Sequence, residues 1–121
     1  MKTEQNVMER DITSKIERLE ALEERWGVSL EALSSSIEGP DDDGKCKFKL
    51  SGQVRSITGL TIDKDLRLVV TLHDGIGRVV NMGEQTQSTD RFWGRDPFEF
   101  RFIIHESPCK IKVYPKKPWG S

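Results

Sequence analysis

The chain is short of the residues from which most active sites and metal centres are built. Its 121 residues include only two histidines and two cysteines. His73 and His105 stand apart from one another, as do Cys46 and Cys109. A zinc centre needs about four clustered ligands, so the pattern offers no metal site and implies no cofactor. Two such distant thiols read as free cysteines that pack as small hydrophobes in reducing surroundings. Neither histidine belongs to a nucleophile elbow or an active-site cysteine pattern, and no glycine-rich loop is spaced to cradle phosphate. The expectation is a protein that is not an enzyme. Long apolar runs are missing too: none approaches the ~20 residues that span a bilayer. The first ten residues are polar and acidic, the reverse of a secretory leader, which points to a cytoplasmic protein.

What is present is charge, unevenly placed. The net charge is −1, but residues 1–44 carry five Lys/Arg against 12 Asp/Glu, and residues 45–121 carry 14 against eight. A basic half suits a polyanion such as nucleic acid or anionic lipid. It suits the acidic half of the same protein equally well. The basic residues are spread along strand-like stretches, not clustered, which favours the internal explanation.

Met8, Ile12, Ile16, Leu19, Leu22 and Trp26 recur at steps of three and four, a spacing that predicts an amphipathic helix. Glu17, Arg18, Glu20, Glu23 and Glu24 fall between them as its solvated face. If Ile12, Ile16, Leu19 and Trp26 formed a seam with another helix, Glu23 would sit at a core position. Gly27 stops this helix. Ser29 then caps a second one, striped by Leu30, Leu33 and Ile37 and ended by Glu38-Gly39-Pro40. The pair resembles a helix-turn-helix, but its second helix has no Arg, Lys, Asn or Gln with which to read bases. A helical hairpin that packs or dimerises is the better account. Asp41-Asp42-Asp43-Gly44 reads as an exposed linker.

Beyond Gly44 the period becomes two. Cys46, Phe48, Leu50, Gly52 and Val54 alternate with Lys45, Lys47, Lys49, Ser51, Gln53 and Arg55, giving a strand with one buried face. Leu66, Leu68, Val70 and Leu72 make a second such face. Asp74-Gly75-Ile76-Gly77 is a turn, and Arg78–Met82 begins the returning strand. Phe98, Phe100, Phe102 and Ile104 alternate most strongly of all, and a last strand runs through Ile111 and Val113 to Pro115 and Pro118. The predicted fold is therefore α+β and mainly β. It comprises an acidic helical segment over residues 1–39, a linker over 40–44, and an antiparallel β-sandwich of five or six strands over 45–121.

Gly52-Gln53-Val54, Leu68-Val69-Val70-Thr71-Leu72-His73-Asp74, Gly77-Arg78-Val79-Val80 and Phe98-Glu99-Phe100 together resemble the FxLYD family of small immunoglobulin-like β-sandwich modules. There a strand ends in Leu-Tyr-Asp, a turn follows, and Gly-x-Val-Val opens the next strand. Val70 stands here in place of the Phe and His73 in place of the Tyr. The resemblance spans residues 52–104 and implies a non-enzymatic module of a kind often exported.

Two further patterns bear on function. Asp41, Asp42, Asp43, Asp63, Asp65, Asp74, Asp90 and Asp96 sit in linkers or at strand ends, where calcium-binding C2-type sandwiches gather ligands. Aspartate is also an ordinary turn former, and the 41–43 run lacks the alternating spacing of a calcium loop. Phe92 and Trp93, with Arg91 and Arg95, offer an aromatic and basic patch, in which Trp93 is the strongest contact candidate. The function expected from all this is a protein-binding or assembly module. Its contacts to a partner or to a second copy would run through Ile12, Ile16, Leu19 and Trp26 of the helix and through Trp93. Nucleic-acid or anionic-lipid binding through the basic half is the alternative, and calcium-dependent binding the third.

Overall fold

The computed structural model describes residues 9–57, 66–87 and 95–116. Where alternation is strict the chain is extended as expected: β4 (Cys46–Ser56), β5 (Leu66–His73), β7 (Arg95–Ile104) and β8 (Lys110–Lys116). β6 (Val79–Gln87) returns from β5 through the turn at Asp74. Three more strands precede these: β1 (Glu9–Asp11), β2 (Ile16–Arg18) and β3 (Val28–Glu38). The strands form two sheets of four, ordered β1-β3-β4-β7 and β2-β8-β5-β6. Core residues come from both sheets: Val28, Leu30, Ile37, Phe48, Leu50 and Val54 from the first, Leu66, Leu68, Val70, Leu72, Ile111 and Val113 from the second. Phe48 and Phe102 stack within the first sheet with centroids 5.6 Å apart.

The N-terminal third departs from the helical expectation. Among its described residues the one α-helix, α1 (Glu20–Arg25), is six residues long. Residues 9–18 instead run along both sheets. β1 pairs antiparallel with β3, a 3-10 turn at Thr13–Lys15 carries the chain across, and β2 pairs parallel with β8, Ile16 facing Ile111. The crossing is tied down at both ends. The Ile12 amide donates to Ser35 O at 2.9 Å, and Lys15 Nζ donates to Pro108 O at 3.0 Å. Ile12 and Ile16 therefore do share one direction, as their spacing of four suggested, but that direction is the core of their own sandwich.

β3 explains the second predicted helix. Its register against β4 shifts between Glu31 and Ser34, where β3 has one more residue than its partner. Ala32 takes a left-handed backbone there, with φ of 54°. Such a bulge reverses the inside–outside parity of a strand. Leu30 and Leu33, three apart, consequently both face inward, and Ile37 follows four residues later. The bulge needs room opposite it. A Cβ on Gly52 would lie 2.6 Å from Leu33 Cδ2 and 3.1 Å from Glu31 O, so the glycine admits the extra residue. The expected linker is the β3–β4 hairpin loop: Asp41 Oδ1 accepts the amides of Asp43 and Lys45 at 2.9 and 2.8 Å.

Because β1 and β2 are one continuous segment, the chain itself closes that side of the sandwich. The other side is bounded by β6 and β7, the outer strands of their sheets. They meet through side chains. Phe100 and Phe102 of β7 lie over Gly83, where a Cβ would come within 2.7 Å of Phe102 Cε1, and Gln85 Nε2 donates across the gap to Glu99 O.

Candidate interaction surface

All eight residues of β5 are buried, including those on the outer face of its sheet. The outward row is satisfied internally. Arg67 Nη1 pairs with Glu84 Oε1 of β6 at 2.7 Å. His73 spans two partners: its Nδ1 lies 3.2 Å from Gly77 O and its Nε2 2.8 Å from Thr71 Oγ1. A neutral ring that donates from Nδ1 and accepts at Nε2 satisfies both. His73 thus ties the end of β5 to the turn that follows.

The same turn is built on Asp74. Its Oδ1 accepts the amides of Ile76 and Arg78 at 3.0 and 2.9 Å, and its Oδ2 accepts Arg78 Nε at 3.0 Å. These bonds, the Arg78 amide foremost, hold the Asp74 carboxyl below the usual aspartate range. A depressed folded-state value contributes stability above the unfolded value and loses it as pH falls through the folded one. Acidification should therefore loosen the β5–β6 turn. In an NMR titration the Arg78 amide is expected to move with a midpoint below that of an unperturbed aspartate. A midpoint at or above the ordinary value would mean that the Asp74 turn is not formed.

Past this turn the ordinary pattern of a sheet edge is inverted. Facing the core, β6 places Asn81, Gly83 and Gln85 opposite Leu72, Val70 and Leu68. Its apolar side chains lie outside: Val79, Val80 and Met82 are 55, 49 and 53% exposed, and Ile76 of the turn before it is 76% exposed. A register shift between Leu72 and His73 leaves Val80 without an opposite residue, so that Val79 and Val80 are both exposed in succession. Among the described residues no strand pairs with the far side of β6. The Met82 amide is instead held by the carboxamide of Asn81, at 2.8 Å. An exposed apolar edge strand of this kind is a template for another strand, and proteins normally blunt it with charge or proline. Among the described residues, β7 lies against the half that contains Gly83 and Gln85.

The chain matches no family model, no curated protein and no solved structure. Function must therefore be argued from these residues.

Of the contact residues expected from sequence, four lie among the described residues. Ile12 is buried in the core, and Ile16 and Trp26 pack against it half-buried. Leu19, half-buried, is the residue that enters α1. Trp93 lies outside the described residues. Glu23, expected on a solvated face, is 3% exposed. The residues that the sequence did not single out are Ile76, Val79, Val80 and Met82. Their signal was the turn itself: once Asp74–Gly77 fixes the hairpin, pairing places Met82 beside Thr71 on the outer face, where a polar residue belongs.

Elsewhere Ile57 and Ile103 are exposed as well, at 49 and 57%, and several charged side chains pair across the surface. Acidic residues of the N-terminal segment meet basic residues of the later strands: Glu31 pairs with Arg55 at 2.6 Å and Glu17 with Lys110 at 3.4 Å. Arg78 pairs with Asp74, and Arg101 with Glu99. A shallow depression of about 380 Å³ crosses the outer face of the first sheet, between Asp11, Lys49 and Ser51. Two of its hydroxyls, those of Ser34 and Ser51, bond to one another at 3.2 Å. Among the described residues no three His, Cys, Asp or Glu side chains converge as metal ligands, and no helix is long and apolar enough to cross a membrane.

Proposed function

We propose that this protein is a non-enzymatic protein-binding or assembly module, and that it makes its contact through the exposed first half of β6. The observation that carries the reading is the run Val79, Val80 and Met82, three exposed apolar side chains within four residues of an edge strand, with exposed Ile76 in the turn before it. Strand addition at such an edge draws affinity from backbone hydrogen bonds and specificity from alternate side chains. The ion pairs that join the acidic and basic parts of the chain support a protein partner over a polyanion, because they occupy basic side chains that would otherwise meet phosphate. The FxLYD-like hairpin over Leu68–Val80 fits the same reading, since that resemblance implies a non-enzymatic module. A photo-crosslinking residue, p-benzoylphenylalanine, placed at position 80 should give covalent protein adducts heavier than 13.8 kDa in cells. The same residue at position 49, on the outer face of the first sheet, should give none. Equal labelling from both positions, or none from position 80, would remove the edge as the contact.

A further inference from the structure

We draw no further inference here: the strongest candidate, the exposed apolar edge of β6 at Val79, Val80 and Met82, carries nothing beyond the reading above, because nothing in the structure shows what covers it.

Discussion

A chain that begins at Lys45 is expected not to fold. Composition and period make residues 45–121 look like a complete module, yet the cut removes β1, β2, α1 and β3. β3 is no edge element: it lies between β1 and β4 in the first sheet. With it go four buried core residues, Ile12, Val28, Leu30 and Ile37, and three that pack against the core, Ile16, Trp26 and Leu33. Burying one aliphatic side chain contributes roughly 1.5–3 kcal/mol, so the four alone represent roughly 6–12 kcal/mol. The net stability of a domain is about 5–15 kcal/mol. The cut would also uncover the apolar faces of Phe48, Leu50 and Val54 and the whole hydrogen-bonding edge of β4. The expected result is a far-ultraviolet spectrum without strand signal, or aggregation, and no cooperative urea transition. A sharp transition from residues 45–121 would show instead that the N-terminal strands are dispensable additions.

That outcome separates what was legible in the sequence from what was not. Strands with undisturbed alternation could be read directly: Cys46, Phe48, Leu50 and Val54 are buried as their spacing implies, as are Leu66, Leu68, Val70 and Leu72. The turn at Asp74 was equally plain. Strands failed to announce themselves where parity breaks or where they are too short to have any. In β3 the bulge at Ala32 turns the spacing of Leu30, Leu33 and Ile37 into that of a helical stripe. β1 and β2 have three residues each, mostly charged, and their role depends on the turn at Thr13–Lys15 that moves the chain between sheets. A spacing of four recurs in Ile12 and Ile16 for this reason and not because of a helix. The candidate surface was hidden for a related cause. Val79 and Val80 open a strand in an ordinary way, and only the pairing partner of each residue tells which face they occupy. Glu23 shows the limit most sharply. The helical seam set Glu23 at a core position only as a misfit, and nothing in the spacing named Arg18 and the Leu30 amide as the partners that let it be buried.

Glu23→Ala should cost about 2–4 kcal/mol. The carboxylate is 3% exposed and has three donors. Arg18 Nη2 and Nε approach Oε1 and Oε2 at 2.5 and 3.1 Å, and the Leu30 amide donates to Oε1 at 3.1 Å. The same contact, the largest influence on it, holds the Arg18 guanidinium above its ordinary range. One carboxylate thereby joins β2, α1 and β3, three elements too short or too irregular to be placed by their own propensity. A helix of six residues is unstable alone. Alanine would leave the Leu30 amide, at a residue with no exposure, without its acceptor. Arg18, whose side chain is 36% exposed, could turn to solvent, which moderates the loss on its side. Glu23→Gln keeps an oxygen for the Leu30 amide but loses the charge and one acceptor for Arg18, so it should cost about half as much. With a urea dependence of roughly 1–3 kcal/mol per molar, the alanine variant should lower the unfolding midpoint by on the order of 1–2 M. The order matters more than the size. If alanine and glutamine cost the same, the Leu30 amide is not depending on Glu23. If neither matters, α1 is not anchored to β3 through this carboxylate, and the N-terminal segment is held by its strand pairing and by the packing of Ile12, Ile16 and Trp26. The double change Arg18→Ala, Glu23→Ala should cost clearly less than the sum of the two single ones. Removing the arginine by itself strands a buried carboxylate, whereas removing both partners strands only the one amide.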